Sequence, residues 1–215
     1  MSNHNKLIAA KIKAAQAAKS HPSVTPADHL TSSRLPPGQR IVNHLPILDL
    51  GIRPEIPLEQ WTLTLAGLIA APQTLTWDTF LALPHREIVA DIHCVTHWTQ
   101  FEVPWVGVPA NEIIQLAHPM PLANYVVIQS ADDYTTNLPL AALQDEEVLL
   151  AYALNGQPLP LEHGGPVRLV VPKRYFWKSA KWITAISFYE TDQPGFWETR
   201  GYHNEADPFK EERYS

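Results

Sequence analysis

HGGPVRLVVPKRYFWKSAKWI, His163 to Ile183, is the stretch on which the reading of this chain turns. From Ile88 to Pro166 there is no lysine or arginine. Then Arg168, Lys173, Arg174, Lys178 and Lys181 arrive together with no acid among them. Gly164 and Gly165 permit close backbone approach. They feed a β-rich run, Val167 to Val171, and then a cationic loop. A glycine turn, a strand and clustered cations suit an anion such as a phosphate. Tyr175, Phe176, Trp177 and Trp182 interleave with the cations, and could line a pocket for a flat heterocycle or stack nucleic-acid bases. A solvated basic face is the plainer alternative.

Working outward, Trp182 to Tyr189 reads as a strand, as do Trp61 to Ala66, Arg86 to Ile92, Trp105 to Val108, Tyr125 to Gln129 and Val148 to Leu154. Asn155-Gly156 is a turn signal. Thr76 can cap a short helix over Trp77 to Leu83, and Pro109 opens a second, with Ile113, Ile114 and Leu116 on its apolar side. Many short strands and few helices, irregularly interleaved, predict an α+β fold with a mixed sheet. We divide the chain into an N-terminal basic helix and extended arm, 1–34, and one domain, 35–215. The helix, Asn5 to Lys19, carries four lysines and no acid. It reads as a frayed solvated segment, or as one that touches a membrane surface or a partner. A proline-rich arm follows to Pro57.

The chain has 215 residues, ordinary apolar content (45%) and a net charge of −6, which weighs against general nucleic-acid binding. Seven tryptophans and 20 prolines suggest turns, short strands and aromatic-lined clefts. A single cysteine excludes an intrachain disulfide and fits a reducing, cytoplasmic setting. No run is apolar and long enough to predict a transmembrane segment.

That cysteine, Cys94, lies in DIHCVTHW, where a strand runs into a polar turn. A lone cysteine is usually a small buried hydrophobe. It can also be a soft metal ligand. Cys94 and His97 have a spacing that permits zinc, or a thiol enzyme with His97 as base. There is no HExxH, no Walker loop and no GxGxxG.

Together HCVTHW with VPWVGVP, QSADDYTTNLPL, HGGPVRLVVPKRYFWKSAKWI and GYHNEADPFKEERY resemble the molybdopterin-binding domain of the sulfite oxidase family, over roughly Leu35 to Tyr214. The nearest members in style are heme-free bacterial ones, related to the methionine sulfoxide reductase catalytic subunit. The resemblance implies a molybdenum-molybdopterin oxidoreductase that transfers an oxygen atom to or from a small substrate and exchanges electrons with a separate redox partner. It makes Cys94 the metal ligand. It puts Ser130, His163, Arg168, Ser179, Ala180 and Lys181 on the cofactor, with a further contact near Asn43 to Asp49. Asp91, His97 and His203 become candidates for the substrate pocket. Sulfite oxidases proper carry a Cys-Ala-Gly-Asn-Arg run after the ligand. Here Val-Thr-His-Trp follows, so the cation expected for a dianion is missing and sulfite is not implied. No twin-arginine signal is read, so methionine sulfoxide is not implied either. Zinc or thiol chemistry at Cys94 and His97, and a non-catalytic anion or nucleic-acid module on 168–182, stand as alternatives.

Overall fold

A computed structural model describes residues 3–17 and 33–215. The end of the expected basic helix at Lys19, and the arm before Ser33, lie outside them.

The strands form where apolar and β-branched residues alternate or run together. A six-stranded sheet contains β1 (Arg40–Ile41), β4 (Arg86–Cys94), β5 (Trp98–Pro109), β8 (Leu149–Leu154), β9 (Gln157–Pro158) and β10 (Arg168–Val170). Its path runs β1-β5-β8-β10, with β4 paired to β5 and β9 to β8. Only β1 pairs in parallel, with β5. A five-stranded sheet runs β3 (Gln73–Thr76), β2 (Thr62–Gly67), β11 (Ile183–Tyr189), β6 (Tyr125–Ser130), β7 (Thr135–Pro139). Here β2 and β11 are parallel and the other pairs antiparallel. Both sheets are mixed, and helices are short: α2 (Trp77–Leu81), α3 (Ala110–Ala117) and α4 (Leu140–Leu143), beside the N-terminal α1 (Asn3–Ala17). The fold is α+β, as the strand pattern predicts.

Local chemistry sets the ends. The Thr76 hydroxyl accepts from the Thr79 amide and caps α2. His118 ends α3 in the left-handed region, φ 47°. Asn155 and Gly156, both at positive φ, make the turn from β8 to β9. Two expectations need correcting. Trp105 to Val108 is part of a 12-residue strand that starts at Trp98. β3 and β7 were not predicted. In β7, Thr136 and Asn137 are fully buried, so polar residues occupy positions where a pattern reader expects apolar ones.

The centre of the first sheet, β8 and β10 with much of β5, is buried on both faces, and its strands divide residue by residue. Leu150 and Leu169 face the second sheet, packing with Leu63, Leu65, Val126 and Ile186. Leu149, Ala151 and Val170 face the other way, with Cys94, Trp98 and Trp105. That second face is covered by Tyr175, Trp177, Trp197, Tyr202 and Ala206, and by Ile8 of α1. Each fully buried large side chain contributes roughly 1.5–3 kcal/mol of transfer free energy. The C-terminal tail, irregular in pattern, is thus the second layer's cover. α1 is neither solvated nor free for another surface along its Ile8 side. It packs on the chain's own domain.

Candidate active site

The turn from β4 to β5 lifts Cys94 to the rim of the second core. The His97 amide donates to the Cys94 carbonyl, and His97 takes φ 66° to close the turn. The Gln39 side chain donates to the same carbonyl at 3.0 Å. The thiol is buried, but it lines a cavity of about 180 Å3. Thr96 Oγ1 donates to its Sγ at 3.2 Å. Burial pushes the Cys94 thiol up, while Thr96, Lys11 and Arg213 pull the other way. A thiolate at this position therefore calls for a further cation beside it, which a bound metal would be.

At the other side of the cavity stand Arg168, Ser179, Ala180 and Lys181. Arg168 is 1% exposed, and burial pulls it down to about 9. Its guanidinium donates to the His163 carbonyl at 2.8 Å and the Ser179 carbonyl at 2.7 Å, and lies 4.1 Å over the Phe176 ring. Arg168 therefore clamps the glycine turn to the cationic loop while leaving a net positive charge inside the protein. Lys181 donates to the Glu162 carbonyl at 2.6 Å. Burial, then Arg168, pull its ammonium down to about 7. Gly164, at φ 107°, packs on Lys181 so closely that a Cβ would come within 2.8 Å of it. Ser179 Oγ accepts from the Val171 amide and fixes the loop's start. Burial and then the two cations lower His163, which lines the same cavity, and so disfavour its charged form.

The walls are aromatic: Trp98, Phe176, Trp177, Trp182, Trp197 and Tyr202. Ser130 Oγ and Trp98 Nε1 are buried and have no hydrogen-bond partner in the protein. Buried polar groups are nearly always paired, so these two await a ligand. One soft sulfur, buried cations with no carboxylate bonded to them, orphaned donors and flat walls fit a phosphorylated heterocycle that carries a soft metal.

All seven residues assigned to the cofactor by resemblance line this one cavity. Pro46, Leu48 and Asp49 do too, within or beside the range expected of the arm. The three substrate candidates do not. His97 donates from Nδ1 to the Gly38 carbonyl at 2.9 Å, on the far side of its turn. Asp91 binds Arg34 at 2.6 and 2.8 Å. His203 Nδ1 accepts from the Glu205 amide in the tail. Each makes a structural contact instead, two of them with the distant arm residues Gly38 and Arg34, and none lines the cavity. Sequence reasoning missed Asp132, Tyr134, Trp197, Tyr202 and Lys11. Asp132 and Tyr134 lie in QSADDYTTNLPL, which was quoted for its likeness alone, and nothing in the sequence singles out Lys11.

The alternatives fare poorly. A thiol hydrolase needs a base at Cys94, and His97 points away. Among the described residues no group of three or more His, Cys, Asp or Glu could hold a metal alone. Arg168, Tyr175, Trp177, Lys178 and Trp182 are buried, so most of the cations and aromatic rings of 168–182 are not on a surface where nucleic-acid bases could stack.

The oxidoreductase molybdopterin binding domain family matches residues 50–197. The uncharacterized oxidoreductase YuiH of Bacillus subtilis (strain 168) is 42% identical over 185 residues, 86% of this chain and 93% of that one. The protein-methionine-sulfoxide reductase catalytic subunit MsrP of Ralstonia nicotianae is 33% identical over 153 residues, 64% of this chain and 46% of that one. This chain thus spans about half the length of that relative. The crystal structure of the sulfane dehydrogenase SoxCD from Paracoccus pantotrophus shares the fold, with a TM-score of 0.61 over 80% of this chain and 55% of that one, at 22% identity. None of these supports a zinc or thiol enzyme or a nucleic-acid module. The chain belongs to the oxidoreductase molybdopterin-binding domain family, of the sulfite oxidase type, and its cofactor is molybdopterin with molybdenum.

Proposed function

We propose that the chain is a two-electron oxidoreductase that moves an oxygen atom to or from a small substrate, with Cys94 as the protein ligand to molybdenum and electrons passed to or from a separate redox partner. The observation that carries this is the single cavity joining the Cys94 thiol to Arg168 and Lys181. Its residues fit the cofactor: a soft sulfur for the metal, cations without a carboxylate bonded to them for the phosphate, and aromatic walls for the pterin.

When bound, the cofactor supplies the redox chemistry, and the protein supplies orientation and electrostatics. Thr96 holds the Cys94 sulfur by a hydrogen bond, which favours the ligating thiolate. Ser130 Oγ and Trp98 Nε1, unpaired in the protein and in residues that line the cavity, would be free to donate to the bound group. Arg168 fixes the two loops that border the phosphate end, and Lys181 adds charge there. Trp177, Trp197 and Tyr202 line a further wall, whose apolar surface lowers the local dielectric and strengthens each of these contacts.

Molybdenum by elemental analysis and pterin by fluorescence after its release test the reading. Both should be present near one per chain. Zinc in place of molybdenum, or no metal and no pterin from a host that makes the cofactor, would refute it.

A further inference from the structure

The helix α1 docks by one stripe. Ile8, Lys11 and Ile12 stand at helical spacing. Ile8 is 8% exposed and joins the cluster that contains Cys94, and Ile12 packs against it. Leu7 lies beside the arm, its Cδ1 3.0 Å from where a Cβ on Gly51 would sit. Between the two isoleucines, Lys11 lines the cavity. An inward lysine in an otherwise apolar stripe is the informative exception on such a face.

We propose that α1 is a lid on the cavity and that Lys11 is its contact with an anion bound there, either the cofactor's phosphate or an anionic substrate. The proposal rests on the cavity being the cofactor site. Three cationic residues line the cavity, Lys11, Arg168 and Lys181. Arg168 and Lys181 already donate to main-chain carbonyls. Two carboxylates line it, Asp49 and Asp132. Asp49 already accepts from Arg53 at 2.7 Å and from the Gly51 amide at 2.9 Å. Asp132 accepts from the Tyr134 amide, and burial raises its carboxyl towards the neutral form. No hydrogen-bond partner for the Lys11 ammonium is found among the described residues. Burial pulls the Lys11 pKa down, against the attraction of Asp49 and Cys94. A desolvated cation gains most from a bound anion. The turn after Cys94 holds Val-Thr-His-Trp and no cation. α1 brings one to that part of the cavity from more than eighty positions earlier in the chain.

The test uses the purified molybdenum-loaded enzyme with Lys11→Gln, Lys11→Arg and Ile8→Asp. One arm follows the rate at which pterin and molybdenum are lost on incubation and gel filtration. The other measures inorganic sulfate binding to the loaded enzyme, read from the change it causes in the metal's absorption spectrum. Lys11→Gln should weaken one of the two by about tenfold, the usual size of a lost charge-assisted bond. Lys11→Arg should restore most of it. Ile8→Asp, which undocks the helix, should match Lys11→Gln. A change in the first arm assigns Lys11 to the cofactor, and in the second to substrate. If neither arm changes, Lys11 is a solvated charge and the proposal fails. Should the chain purify without molybdenum or pterin, the functional reading itself falls. Phosphate binding to that metal-free protein, compared with Lys11→Gln, then decides the role of Lys11 alone.

Discussion

At the scale of the residue, two cations of the same cavity have different duties. Arg168 spends its donors on main-chain carbonyls of both bordering loops. Replacing it by alanine leaves those carbonyls unpaired and opens a void, so Arg168→Ala should cost about 2–4 kcal/mol in chemical denaturation of the cofactor-free protein. Lys181 gives one bond to the Glu162 carbonyl and is only partly buried. Lys181→Ala should change that stability by less than about 1 kcal/mol, within the range of partly exposed substitutions. Its effect should appear as pterin lost on gel filtration. The sequence made both legible as a cationic cluster, because the long uncharged run before them is so distinct. It could not say which cation faces the ligand and which braces the loops, since that depends on carbonyls whose direction only the fold sets. The same limit explains the histidines. His97 and His203 sit in polar turns that look functional, and each turns out to satisfy nearby main chain.

At the scale of the element, β5 is the seam of the first sheet, pairing with β1, β4 and β8. Where it meets β8, a Cβ on Gly107 would come within 2.4 Å of the Leu150 carbonyl oxygen and 2.7 Å of the Ala151 Cα. Both are backbone, so neither can swing aside. Gly107→Val should separate the strands and leave little soluble, folded protein, as judged by expression and circular dichroism. The β4–β5 pair is also clasped from outside. Burial disfavours ionisation of Asp91, but hydrogen bonds from Arg34 and the Glu102 amide outweigh it and hold the carboxyl below its usual value of 3.8. A lowered carboxyl adds stability that is full above the unfolded value and is lost as pH falls through the folded one. Asp91→Ala should cost about 1 kcal/mol at pH 7, because the pair is half exposed. The difference from the parent should begin to shrink as pH falls through 3.8 and vanish only at pH values below the lowered folded value, where Asp91 is protonated in both states. Strands with plain apolar alternation were readable in advance. β7 was not, because Asn137 is buried through side-chain hydrogen bonds to Asp192, Asn204 and Lys178 that the pattern does not encode, and Thr136 is buried beside it.

At the scale of the whole molecule, the C-terminal tail and the cationic loop are locked by a buried ion pair. Lys178 Nζ lies 2.6 Å from Glu198, with side chains 0% and 3% exposed, and also donates to the Asn137 carbonyl and side chain. Trp177 Nε1 donates to the same carboxylate. Glu198→Ala strands a charged ammonium and an indole N–H, and should destabilise by about 3–5 kcal/mol. Because Trp197 lines the cavity, this variant should also lose cofactor faster than the parent. The tail gives no regular pattern in sequence, and its role as a cover over the second core emerges only from packing. The large architecture was legible through likeness to a family and through strand count. The docking of α1 was not, since an alanine-rich lysine helix reads the same whether free or bound.

The central claim is that Cys94 binds the metal whose organic carrier reaches to Lys181. X-ray absorption at the molybdenum edge, on the loaded wild type and on Cys94→Ser, tests it most directly. The account predicts one sulfur neighbour fewer at molybdenum in the variant than in the wild type, with turnover down by about a hundredfold. An identical sulfur count in the two proteins would contradict it.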